Sequence, residues 1–259
     1  MFDGRRLTQL IPIFVLASAV LVWEAWVRIH NIPPYLLPSP SLIAQTLVKD
    51  WHTLWPSLFF TLKLTFAALA VAVLGGVLLA VVFTFSRWIE MAFLPFAVIL
   101  QVTPIIAIAP LILIYVDSTF AALLICAWIV AFFPILSNTV IGLRSADHNL
   151  KDLFTLYQAT PWQRLRWLLV PSALPHFLAG LKIAGGLALV GSVAAEFVAG
   201  SAGKNTGLAS RMLEASFRGE IPRMFAALVL FSVIGISIFF IFDRLSKALL
   251  GSWHDSEYS

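Results

Sequence analysis

Charge is what this sequence has least of: Asp, Glu, Lys and Arg together make up 12% of 259 residues, about half the ~25% of a typical soluble domain. Cysteine is almost missing. Cys126 stands alone inside an apolar run, which excludes a disulfide framework and any metal cluster built on thiolates. His30, His52, His148, His176 and His254 show no ligand spacing, so no metal site is expected. No nucleophile is set beside a base, so no catalytic residue is assigned and the chain is not expected to be an enzyme. Carboxylates are absent from the middle of the later apolar runs, which excludes the acid ladder of a proton relay. No nucleic-acid partner is expected.

What is there is grease. With 60% hydrophobic residues, 21 Phe and a mean hydropathy of +0.94, the chain reads as an all-α integral membrane protein surrounded by membrane lipid. A helix needs about 20 apolar residues to cross ~30 Å of hydrocarbon. Six runs qualify, at about 7–27, 61–85, 91–116, 119–141, 173–198 and 224–242, and they leave no room for a soluble catalytic domain. The whole chain, 1–259, is therefore expected to be one transmembrane domain. Trp and Glu follow the first run where a cleavage site needs small residues, so it is expected to stay as a span. Between spans one and two, residues 41–55 predict a surface helix capped by Ser39 or Ser41.

Polar atoms inside the spans are few enough to name. Span three carries Pro95, Pro104 and Pro110, each lacking a backbone donor, which a membrane helix tolerates where neighbours or water repair the loss. Gln101, Thr103 and Pro104 place polar groups at mid-span, for pathway lining or for kink repair. Span five is dense in Gly, Ala and Ser, so helix backbones can approach it closely; Ser192 lies on that face. Asn138 on span four suits a helix–helix hydrogen bond or the pathway. Lys63, Lys182 and Glu196 sit near span ends, where long side chains snorkel to the headgroups; for Glu196 a gating or substrate role stands beside that reading. The stretch Gly200 to Thr206 looks like a phosphate loop, but Val198 stands where the first Gly is needed and Asn205 where Ser or Thr must follow Lys204.

The longest polar interruption, 144–171, predicts two short helices joined by a tight turn. Asp147 can cap the first, in which Leu150, Leu153, Phe154 and Tyr157 recur at helical spacing. Thr160 can cap the second, with Pro161 at its first position and Gln163 closing a capping box. Helices this short are marginal alone, so the greasy face of the first is expected to rest on something. Arg87 in one short turn and the absence of a cation at the Asp117 turn place both termini and this hairpin in the cytoplasm.

Here the sequence resembles a known family: the inner-membrane permease subunit of bacterial ABC importers, in the nitrate, sulfonate and taurine group of the binding-protein-dependent systems. The family loop has the form Glu-Ala-Ala-x3-Gly-x9-Ile-x-Leu-Pro. With its proline on Pro171, the Glu position holds Asp152, the two Ala positions Leu153 and Phe154, the Gly position Gln158, and Leu168 to Pro171 close the pattern. Further matches are Pro38-Ser39-Pro40-Ser41, Ala109-Pro110-Leu111, Gly142-Leu143-Arg144, Ala195-Glu196 and Gly207-Leu208. The resemblance implies that the first hairpin helix couples to a separate cytoplasmic ATPase, through Asp147, Leu150, Asp152, Leu153, Phe154, Tyr157 and Gln158, with Arg164 beside them and Pro171 leading into span five. It implies that this ATPase binds ATP and Mg, so that this chain needs no cofactor of its own. It also implies a permease homodimer and a periplasmic binding protein that delivers a nitrate-, sulfonate- or taurine-like solute or a small heterocycle. A secondary transporter or channel without an ATPase is the competing expectation.

Overall fold

The computed structural model describes residues 4–200 and 206–251, with side chains from Ile11 onward; Lys204 of the phosphate-loop look-alike and the polar tail lie outside the described residues. The helices are α1 (Gly4–Ile29), α2 (Pro40–Lys49), α3 (Trp51–Phe85), α4 (Arg87–Val102), α5 (Ile105–Tyr115), α6 (Thr119–Arg144), α7 (His148–Leu156), α8 (Pro161–Arg164), α9 (Val170–Ala199), α10 (Leu208–Phe217) and α11 (Ile221–Leu250). A turn of π-helix, Leu165–Leu169, joins α8 to α9. Among the described residues five helices are long and apolar enough to cross a bilayer, and a sixth span results when α4 and α5 are taken as one bent pair.

The core is α3, α6 and α9 packed along their lengths, with α11 against α9. Small residues set the spacing, as expected of span five. A Cβ on Gly180 would come within 2.7 Å of Asn138 Cβ and 2.9 Å of the Pro134 carbonyl, and one on Gly191 within 3.0 Å of Ala127 Cα. Around these contacts Ile135, Leu136, Ala184 and Ala188 are fully buried. α1 stands apart: it meets the rest through Val27, a Trp23–Phe225 ring contact at 6.0 Å, and Glu24. Its outer residues, Phe14, Leu16 and Leu21 among them, are exposed in the isolated chain and suit lipid.

Three expected elements change shape. Span three is not one helix, because α4 and α5 meet at 104°. Thr103 is extended, at φ −73° and ψ 122°, as the residue before a proline prefers, and Pro104 cannot donate back into α4. The expected surface helix 41–55 ends at Lys49; Asp50 takes φ −96° and ψ 10°, and α3 begins at Trp51, well before the expected start at 61, with Pro56 inside it. The second hairpin helix is not separate. It runs through the π turn into α9, one apolar length from Pro161 to Ala199. Pro171 supplies the reason, since a proline ring clashes with the carbonyl four residues back and a widened turn relieves the clash.

Candidate functional site

Local hydrogen bonds cap both helices of the hairpin at Asp147 and Thr160. Asp147 accepts the backbone N–H of Asn149 at 2.7 Å and of Leu150 at 3.3 Å, starting α7. Thr160 and Gln163 form a reciprocal capping box at the start of α8. Between the helices the chain turns through a left-handed residue, Gln158, at φ 49°. Ala159 N–H then bonds Phe154 C=O at 2.9 Å and Gln158 N–H bonds Thr155 C=O at 3.0 Å, the paired bonds of a Schellman cap. The residue in the family's glycine position is thus the one whose backbone favours glycine. Arg164 does not flank an open face; its Nη2 donates to Thr155 Oγ1 at 2.8 Å and ties the two helices together.

The greasy face divides. Phe154 turns inward and packs against the core, whereas Leu150 and Leu153 are half exposed and Leu156 and Tyr157 are 79% and 77% exposed. Leu156 adds to the face expected from Leu150, Leu153, Phe154 and Tyr157. Asp152 is exposed, 3.6 Å from His148, and Pro171 is the second residue of α9.

The candidate pathway residues do not converge on one cavity. Gln101, Thr103 and Pro104 occupy the α4–α5 break, where Thr103 Oγ1 donates to the Ile99 carbonyl at 2.6 Å. Asn138 donates to the Pro134 carbonyl at 2.9 Å within its own helix, so the expected helix–helix bond is not made. A carbonyl in the Pro134 turn, pressed against Gly180, takes its side chain instead.

Ser192 and Glu196 lie elsewhere, in a buried polar seam between α3 and α9 that the sequence reading missed. Thr65 Oγ1 donates to Ser192 Oγ at 3.2 Å, and Ser192 donates on to the Ala188 carbonyl at 2.8 Å. One turn further, Thr61 Oγ1 donates to Glu196 Oε1 at 2.8 Å and itself accepts Leu208 N–H at 2.9 Å. Glu196 Oε2 accepts Ala209 N–H at 2.9 Å. Glu196 is fully buried and does not snorkel. It caps α10 from outside, at a position where the N-cap residue, Gly207, has no side chain to do so. The spacing of Thr61 and Thr65 on one helix and Ser192 and Glu196 on the other, each four apart, was the signal available.

Lys182 also finds its partner within the bundle. Its Nζ meets Asp243 Oδ1 at 2.6 Å and lies 4.1 Å above the Phe239 ring, so it binds α9 to α11 and does not reach for headgroups. Lys63 is exposed and faces the Phe120 ring at 5.5 Å. Among the described residues no group of three or more His, Cys, Asp or Glu is arranged to hold a metal ion.

Comparison with known proteins gives this helical arrangement a family. Residues 72–251 match the binding-protein-dependent transport system inner membrane component. The chain belongs to that family. It is 33% identical to the formylaminopyrimidine transport permease protein ThiX of Halalkalibacterium halodurans, over 95% of this chain and 97% of the relative. It is 31% identical to the riboflavin transport system permease protein RibX of Chloroflexus aurantiacus, over 92% and 87%. Among solved structures, the crystal structure of an amino acid ABC transporter with histidines has the same fold, with a TM-score of 0.65 at 19% identity over 79% of this chain and 97% of that one. The kinship to the nitrate, sulfonate and taurine group holds through further named relatives. This permease is a multi-pass inner-membrane subunit of an ABC-type importer, and subunits of its family are not themselves enzymes. The expectation of a secondary transporter or channel is not favoured.

Proposed function

We propose that this permease moves its solute under the control of a separate cytoplasmic ATPase docked on α7. The observation that carries the reading is the outward face of Leu153, Leu156 and Tyr157 on a nine-residue helix, too short to hold itself yet rigidly capped at both ends. Exposed apolar side chains on a preformed helix suit a groove-type partner. In this reading the hairpin and both termini are cytoplasmic, ATP and Mg are bound by the partner, and closure of the ATPase reaches α9 through Arg164, the π turn and Pro171. Two copies of the chain form the pathway, and a periplasmic binding protein docks at the end bearing α2 and α10. The whole chain, 1–259, acts as one transmembrane domain.

The substrate class that fits best is a small nitrogen heterocycle. Two relatives more than 30% identical to this chain are named for a pyrimidine and for riboflavin, both nitrogen heterocycles.

Phe154 supports the bundle, so the informative variant changes its exposed neighbours. The full-length permease carrying Leu153→Asp and Leu156→Asp is expected to insert and elute as a single species but to lose its co-purifying ATPase and ATP-dependent uptake. Retention of the ATPase by a correctly inserted double variant rejects α7 as the docking helix.

A further inference from the structure

The seam between the hairpin and the bundle holds a cavity of about 440 Å³. Its wall carries three cations, Arg144 at the end of α6, Lys151 on α7 and Arg164 on α8, with Thr84, Phe85 and Leu169 beside them. A neighbouring cavity of about 490 Å³ shares Thr84 and Arg144 and adds Arg87 and Glu90.

The charges do not balance. Glu90 pairs with Arg144, but Lys151 and Arg164 have only neutral acceptors among the described residues. Lys151 Nζ donates to the Arg144 carbonyl at 3.1 Å, and Arg164 reaches Thr155 Oγ1. Arg164 Nε is buried with no acceptor among the described residues, and a buried donor left open is costly. The two acids of the hairpin are engaged elsewhere: Asp147 caps α7 and Asp152 faces His148. An anionic oxygen entering the cavity would meet two uncompensated cations and an open donor.

The surroundings specify the rest of the ligand. α3 presents an exposed apolar stripe, Leu74, Leu78, Val82 and Phe85, which ends at this cavity. A soluble phosphate would satisfy the cations and leave the stripe unused, whereas a lipid uses both, its phosphate in the cavity and its chains along α3. We infer that the cavity is a site for one anionic phospholipid, held through its phosphate by Lys151, Arg164 and Arg144. The bound lipid bridges the bundle to the hairpin and braces α7 and α8 against α3. The site needs no ATPase to form.

The test is native mass spectrometry of the full-length permease from bilayer discs holding phosphatidylglycerol and phosphatidylcholine in equal amounts. Wild type is expected to retain phosphatidylglycerol selectively. Lys151→Gln should weaken that retention about five-fold and Lys151→Gln with Arg164→Gln about thirty-fold, taking roughly one such increment per cation. Lys151→Arg, which keeps the charge, should behave as wild type. Equal phosphatidylglycerol retention by wild type and Lys151→Gln overturns the site, and this single variant decides the matter if the double variant fails to fold. Displacement of the lipid by millimolar inorganic phosphate, with matching thermal protection by phosphate alone, overturns the lipid assignment in favour of a soluble anion.

Discussion

Gly207 is the residue on which the buried seam depends, and the reason is space. Its φ of −74° is open to any residue, yet an added Cβ would lie 2.1 Å from Glu196 Cδ and 2.2 Å from both carboxylate oxygens. A methyl group there must evict the carboxylate from Ala209 N–H and Thr61. Gly207→Ala is therefore expected to lower stability by about 1–3 kcal/mol, the range for an overpacked site or a stranded buried polar group. The cost should shrink when Glu196→Ala removes the obstructing side chain, so thermal unfolding of the two single variants and the double variant tests the assignment. A Gly207→Ala penalty of the same size in the Glu196→Ala background would locate the clash elsewhere. The same device recurs at Glu24, whose carboxylate accepts Ser41 N–H at 2.9 Å and its hydroxyl at 2.8 Å, so an acid on one helix caps the start of the next. In sequence Glu24 and Glu196 look like span-end anchors. The N–H groups they cap lie 17 and 13 residues away, and nothing local announces a cap supplied from another helix.

Elements divide by whether their shape is decided locally. The hairpin's caps were legible because their signals sit within four residues of what they control: Asp147 and Thr160 cap and Gln163 closes the box, whereas the inward turn of Phe154 depends on the distant core it meets. The break in span three was not. Pro95, Pro104 and Pro110 look alike in sequence, yet only Pro104 separates two helices. α5 packs against α6 and α9 through residues such as the buried Ala109, whereas α4 lies against the ends of α3 and α6. The two halves are pulled toward different surfaces, and the proline with an extended residue before it is where the chain yields. At the hairpin turn the local rule carries a prediction. Gln158 holds φ 49°, a conformation costing a residue with a Cβ about 1–2 kcal/mol that glycine escapes. Gln158→Gly should raise the thermal midpoint, by an amount equivalent to roughly 1 kcal/mol after its greater unfolded-state entropy is subtracted. A lowered midpoint would show that the left-handed turn is not the state the protein occupies.

At the scale of the whole molecule the two ends of the bundle are fastened differently. The hairpin end is joined by Glu90 to Arg144 and by Lys182 to Asp243; at the other end Glu24, Asp50 and Glu196 hold α2, α3, α10 and α11. The central tie at that end is Asp50 to Arg223, 2.6 Å between the residue separating α2 from α3 and the start of α11, 173 positions apart in sequence. Asp50 is buried, and Arg223 is also paired with Glu220. A charge swap would therefore fail for an unrelated reason, since an acid at 223 would face Glu220. A double-mutant cycle avoids this. Asp50→Ala and Arg223→Ala are each expected to cost about 2 kcal/mol, below the fully buried range because Arg223 is partly exposed. If the two side chains act as one tie, the double variant should cost no more than about 1 kcal/mol beyond either single change, a coupling within the usual span for residues in contact. Fully additive costs would mean that each residue serves separate neighbours. The α2–α3 corner and α11 would then be held together by apolar packing alone, and the end proposed to receive the binding protein would lack its central polar fastening.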